Sequence, residues 1–323
     1  MSTETASSSS SPNSPVKSTM MCGQFLFLEF LIFFVIFLVG FASNILFILL
    51  SCKTGNNSKS YSKNCNDYLL HCSIANLILM VRMPFDIISF TTNGSWFFGE
   101  YSCNLHFFVE RAIYIAIATH IMNMARDAYT PFGFPTQPSS CTTNWVMSLV
   151  FAFPLLFTSL VRIPGRCTRC TLINNSLGRM PVFQWTEYLY VAILPLVTVC
   201  FYCNKFGVHP DYEALDKADP DDHNGQTKMK LRRICLTLAT TIFICTSPAR
   251  LTEIAGGNFE LWPGSRIIFF FIPRLLIYGQ TIIFSIVCAF SFPSFYQEAK
   301  IATKRICSCR IHRLIQHKTL TEQ

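Results

Sequence analysis

Charge is what this sequence has least of. Asp, Glu, Lys and Arg together make up 14 % of the 323 residues against 51 % hydrophobic, too little polar surface to clothe a soluble domain of this size. Strand patterning is also missing, so the apolar residues must be accommodated as helices. Clustered metal ligands are lacking. His71, His106 and His120 are spread over two expected helices with no pair one turn apart, which excludes the His and carboxylate sets of metal-dependent membrane hydrolases. No internal repeat of broken helices suggests a transporter, and neither enzymatic activity nor a metal or cofactor is expected. The 15 cysteines do not form a disulfide scaffold, because most fall inside apolar runs, where free Cys is a small hydrophobe. Cys22, Cys103, Cys167 and Cys170 alone fall in segments expected to face an oxidising compartment.

What is present is a set of apolar runs of about 20 residues or more, the length that crosses a hydrocarbon layer about 30 Å thick at 1.5 Å per residue. Seven are counted, at 25–51, 67–90, 103–128, 144–162, 186–206, 230–254 and 266–291. The expected fold is all-α, a seven-transmembrane helix bundle. The first run is too long, and lacks the small-residue cleavage site, for a signal peptide. Residues 1–24, rich in Ser, are expected to be a disordered extracellular N-terminus. Residues 25–291 form the bundle, and 292–323 an amphipathic surface helix and cytoplasmic tail. Pro293 suits the first turn of that helix, where Phe295, Ala299 and Ile306 alternate with Lys300, Lys304 and Arg305. Cys307 and Cys309 at its end are palmitoylation candidates.

Orientation follows from the basic residues. With the N-terminus outside, the cytoplasmic segments hold sixteen Lys and Arg against six outside, the bias expected of membrane proteins. Anionic membrane lipid then accounts for the net charge of +8, and no nucleic-acid partner is needed. The glycosylation acceptors Asn93 and Asn174 fall in expected extracellular loops, whereas Asn56 falls inside and is expected to be unmodified.

The landmark residues resemble the rhodopsin-like (class A) G-protein-coupled receptors over nearly all of residues 24–310. Gly40 and Asn44 match the first-span signature. Ala75-Asn76-Leu77 and Pro84 match the second, with Asn76 for the usual Asp. Trp96-Phe97-Phe98-Gly99 followed by Cys103 resembles the loop and cysteine that open the third, and Asp127-Ala128-Tyr129 stands where the family places Asp-Arg-Tyr. Trp145 and Pro154, Pro195-Leu196, Cys245-Thr246-Ser247-Pro248 and Phe295 follow in order. The resemblance implies a plasma-membrane receptor with an extracellular ligand and a heterotrimeric G protein as partners. It also implies a disulfide from Cys103 to the second extracellular loop, at Cys170 by its distance from Trp145, with Cys167 as the alternative.

The departures matter as much. Asn76 replaces the acid that holds sodium in much of the family, and a neutral amide brings no charge to a hard cation, so no such ion site is expected. Thr246 replaces the toggle tryptophan, Phe284-Ser285-Ile286-Val287-Cys288 replaces Asn-Pro-x-x-Tyr, and Tyr202 falls one residue short of the fifth-span tyrosine. The G-protein-facing set would be Asp127, Ala128, Tyr129, Lys230 and Arg233. Ala128 lacks the arginine that contacts both the neighbouring acid and the G protein, so Asp127 is expected to lose its resting partner and coupling to be weak or unusual.

Seven charged residues lie in the outer halves of the expected spans: Arg82, Asp86, Glu110, Arg111, Arg250, Glu253 and Arg274. Each costs about 3 kcal/mol on insertion scales, so such residues face the interior and pair. Glu110 lies about 10 Å deeper than Cys103 along the helix. There it matches the ligand-binding carboxylate of amine receptors, and Tyr278 matches its tyrosine partner. The expected ligand-binding set is Glu110, Arg111, Arg250, Glu253, Arg274 and Tyr278. Four cations and three anions favour an extracellular peptide or small polar ligand with both charges over a biogenic amine. An internal Arg and Glu network that fixes helix packing is the other reading of the same residues. The seventh span has no Lys for an opsin-type Schiff base. A receptor-like protein that does not signal, a ligand trap or trafficking partner, is the rival function.

Overall fold

The computed structural model describes residues 15–55, 60–92, 95–129, 140–157, 170, 179–207, 223–254 and 271–291. The helices are α1 (Pro15–Gly55), α2 (Ser60–Thr91), α3 (Glu100–Tyr129), α4 (Cys141–Ala152), α5 (Arg179–Tyr188), α6 (Leu194–Gly207), α7 (His223–Ile254) and α8 (Ile272–Ser291). Six apolar stretches within them are long enough to cross a membrane, Phe27–Cys52, Asn66–Ser89, Glu100–Ala128, Val182–Tyr202, Leu231–Ile254 and Ile272–Phe290, and Cys141–Phe157 is a shorter apolar helix. All seven coincide with the expected runs, and the protein is an all-α transmembrane bundle.

Two boundaries differ from expectation. Helix α1 starts at Pro15, inside the segment 1–24 expected to be disordered. Proline is well placed at the first helical position, and once the apolar part has nucleated the helix, each added residue needs no new nucleus. Helix α4 is short because Pro154 sits in the 3-10 turn Phe153–Phe157 that follows it. The surface helix, Cys307, Cys309, Asn93, Asn174 and Cys167 lie outside the described residues, as do the side chains of Cys22, Tyr129 and Lys230.

Helix α3 is central and packs against α2, α4, α6 and α7, while α1 closes the ring between α2 and α8. In lipid the hydrophobic effect does not hold helices together; close packing and internal hydrogen bonds do. Gly40 shows the first. A Cβ there would lie 2.8 Å from Met80 Sδ and 3.0 Å from Thr281 Oγ1, so any larger residue would have to push those side chains aside for α1 to come as close. Asn44 shows the second, donating from Nδ2 to the Gly40 carbonyl at 2.8 Å and the Thr281 carbonyl at 3.4 Å. Hydroxyls with no water to bond turn onto their own helix, as Thr246 does on the Ile242 carbonyl at 2.7 Å and Ser148 on that of Asn144 at 2.6 Å.

Between α5 and α6 the chain makes a π-turn, Leu189–Ile193, closed by the Leu194 N–H on the Leu189 carbonyl. Pro195 explains it: its ring carries no N–H and would clash with the carbonyl four residues earlier in a regular helix. The inserted residue rotates α5 by about 100° relative to α6, which matters for Glu187 below.

Candidate functional site

The loop entering α3 is built around Trp96. Its Nε1 donates to the Gly99 carbonyl at 2.9 Å and to Ser102 Oγ at 3.1 Å, and Gly99 takes φ +84, a left-handed conformation natural only to glycine. This fixes the first turn of α3, where Cys103 is disulfide-bonded to Cys170 with a Cα–Cα distance of 5.7 Å. Of the two partners weighed from sequence, Cys170 is the one found.

Below the disulfide the buried charges form one connected network. Arg82 on α2 donates from Nη1 to Glu110 Oε2 on α3, and from Nη2 to Asp86 Oδ2 and to the Tyr278 hydroxyl on α8. Asp86 also accepts from Arg274 Nη1 and the Tyr278 hydroxyl, with His106 Nε2 at 3.2 Å. The other oxygen of Glu110 accepts from Arg250 Nη2 at 3.1 Å. Arg250 Nη1 reaches Glu253 Oε2 at 3.0 Å, and its guanidinium lies 4.9 Å from the Tyr114 ring centroid. Arg111 spans Glu187 Oε1 at 2.9 Å and Glu253 Oε2 at 2.6 Å.

All six expected ligand-binding residues are therefore in one network, and Glu110 is not paired with the arginine beside it in sequence. Neither Arg111 nor Arg274 bonds Glu110; Arg82 and Arg250 do. The reason is rotational phase, because Arg111 follows Glu110 directly and is turned about 100° away, toward α5 and α7. The charge count changes as well. Glu187, buried on α5 beside Arg111 and 3.7 Å from Arg250 Nε, brings the carboxylates to four against four arginines. Sequence reasoning missed it because it sits at the edge of the expected fifth span, where a Glu reads as a headgroup-level residue, and because the π-turn that re-phases α5 cannot be seen in hydropathy.

Not all of the network is sealed. Arg274 is 39 % exposed and Glu253 33 %, whereas the other partners are buried. Both contacts of Glu253 use Oε2, and Arg274 uses Nη1 alone, so each has polar atoms left over among the described residues. A shallow recess, too narrow to hold a water, lies beside Arg274, lined by Phe33, Asp86, Ile87 and Tyr278.

The opposite end of α3 also departs from expectation. Asp127 does not lose its partner. The Tyr68 hydroxyl on α2 donates to its Oδ2 at 3.0 Å, and Arg126 Nε and Nη2 donate to Oδ1 at 3.2 and 3.1 Å. Ala128 is fully buried in the apolar core, and Arg233 is exposed. The histidines are less scattered than they look in sequence, since α2 and α3 adjoin: His71 and His120 stack at 5.5 Å, and Trp145 Nε1 donates to His71 Nδ1 at 3.2 Å. Among the described residues no group of three or more His, Cys, Asp or Glu is arranged to hold a metal.

No family model matches the chain. It is similar to melanin-concentrating hormone receptor 2 of Macaca fascicularis, 21 % identical over 60 % of this chain and 61 % of that one. It is similar to the platelet-activating factor receptor of Cavia porcellus, 20 % identical over 64 % and 65 %. A third relative is 2-oxoglutarate receptor 1 of Rattus norvegicus, 23 % identical over 69 % and 66 %. The chain thus spans about three-fifths of the length of the first of these relatives. With six membrane-length helices, a shorter seventh and the Cys103–Cys170 bridge, the protein resembles the rhodopsin-like G-protein-coupled receptors.

Proposed function

We propose that this protein is a cell-surface receptor of the plasma membrane, with its N-terminus and the disulfide end outside, whose extracellular ligand carries both a cationic and an anionic group. The observation that carries the reading is the pair of accessible charges, Glu253 and Arg274, at the edge of a network whose other members are buried. A ligand cation finds Glu253 Oε1 and a ligand anion finds the outer nitrogens of Arg274, without breaking the buried pairs first. A short peptide or a small zwitterion satisfies both. The similar receptors are named for melanin-concentrating hormone, platelet-activating factor and 2-oxoglutarate, which supports a receptor and leaves its ligand to this geometry. A simple amine fits less well, because Glu110, its expected anchor, already has each oxygen on an arginine.

The intracellular partner is a heterotrimeric G protein, met by the Asp127 end of α3 and the basic start of α7, Lys230 and Arg233. Coupling is weak, because Ala128 offers no cation to that partner. The experiment is ligand-driven activation of each main G-protein class in cells expressing the chain, against peptides, zwitterions and amines. Activation by a zwitterionic or peptide ligand supports the reading. Specific ligand binding without activation of any class favours the ligand-trap alternative.

A further inference from the structure

Midway along the bundle, α2, α3, α7 and α8 line a small pocket of about 10 Å³, roughly the room one water needs. Its walls include Ile117, Ile242 and Phe284, with Thr241 and two amides, Asn76 and Gln280. Asn76 is 1 % exposed and Gln280 3 %. Asn76 Oδ1 and Gln280 Oε1 both lack a hydrogen-bond partner among the described residues. Thr241 donates its own hydroxyl to the Thr237 carbonyl at 2.8 Å, leaving only acceptor capacity toward the space. A buried acceptor left unbonded costs much of its desolvation free energy. Two such atoms facing one pocket call for a donor between them.

The family that the sequence resembles has, in many members, an acid that holds sodium where Asn76 stands. The residues present do not fit a sodium ion. No lining side chain is charged, and Ile117 and Phe284 present hydrocarbon where a monovalent cation needs oxygen. Stripping the hydration shell from an ion is too costly for two neutral carbonyls to offset. Water needs no charge, only two or more polar partners in a polar space.

We propose that this pocket is a water site in place of a cation site: water donates to Asn76 and Gln280 and joins α2 to α8 at mid-bundle. The protein's stability is then independent of sodium at constant ionic strength. This stands apart from the ligand reading, because it involves neither Glu253 nor Arg274.

The test uses the purified full chain in lipid nanodiscs, melted in sodium chloride and in an equal concentration of choline chloride. The expected result is the same melting temperature in both salts. Asn76→Leu and Gln280→Leu each remove one water partner, and each is expected to lower the melting temperature by a few degrees. The double variant, which leaves no stranded acceptor, is expected to recover part of that loss. A rise specific to sodium in the native chain overturns the proposal by showing a cation site. Stabilisation by either single variant overturns it by showing a dry pocket whose polar atoms are merely tolerated.

Discussion

At the disulfide end of the bundle eight charged side chains from α2, α3, α5, α7 and α8 are interlocked. At the Asp127 end the same α3 meets its neighbours through hydrocarbon: Met124, Ala125 and Ala128 belong to one apolar core with Val199 on α6 and Leu231, Ile234 and Cys235 on α7. One buried acid, Asp127, is held there by a tyrosine and a neighbouring arginine. The two ends should fail differently. A charge network is sensitive to the loss of a partner, because the survivor stays buried and unpaired. An apolar seal is indifferent to such losses and sensitive to the arrival of charge or bulk.

The largest effect should come from breaking the network at its most connected member. Arg82 joins Asp86, Glu110 and Tyr278, so Arg82→Leu takes one arginine from each of two buried carboxylates and is expected to cost about 3 kcal/mol. Thermal unfolding of purified protein measures this. A loss under about 1 kcal/mol would show that the two ends do not differ as described.

Next is the reverse insult at the other end. Ala128→Arg forces a charge into a position with no exposure, at a cost of about 3 kcal/mol on insertion scales, partly relieved by Asp127 beside it. The same variant should raise ligand-driven G-protein activation by supplying the missing cation. Unchanged stability would mean that α7 already stands away from α3, and strong native coupling with no gain would contradict the role given to Ala128.

The smallest effect tests the hydrogen bond that joins α2 to α3 at the Asp127 end. Tyr68→Phe removes a 3.0 Å hydrogen bond to the Asp127 carboxylate. Because Arg126 still holds the other oxygen, the expected loss is about 1–2 kcal/mol. Basal signalling in cells should rise as the α2–α3 joint loosens. No change in either readout would mean that Arg126 alone satisfies the acid.

The same contrast explains what the sequence revealed. Spans were readable within a few residues because hydropathy and length set them. Gly40, Trp96, Gly99 and Cys103 were readable because each does a local job that no other residue type does. The seven intramembrane charges were readable as a group because hydrocarbon makes each of them conspicuous. Their partners were not. Whether Glu110 bonds Arg111 or Arg82 depends on which face each helix turns to which neighbour, and a one-residue π-turn in α5 changes that face for Glu187. The same dependence hid the Tyr68–Asp127 bond and the His71–His120 stack, since α2 and α3 are far apart in sequence at those positions and adjacent in space.

The account turns on Glu253 and Arg274 being points of ligand contact, in contrast to the buried pairs that serve as structure. The most direct measurement compares Glu253→Gln, Arg274→Gln and Glu110→Gln for both melting temperature and affinity for any ligand that activates or binds the native chain. The first two are expected to lose less stability than Glu110→Gln, because the buried partners they leave keep another ion pair each, Arg111 with Glu187, Arg250 with Glu110 and Asp86 with Arg82, and to lose affinity by about tenfold or more. Glu110→Gln is expected to lose stability first, because it uncovers Arg82 and Arg250 together. Native affinity in both Glu253→Gln and Arg274→Gln, at normal surface expression, would contradict the account and leave the network as a purely structural feature.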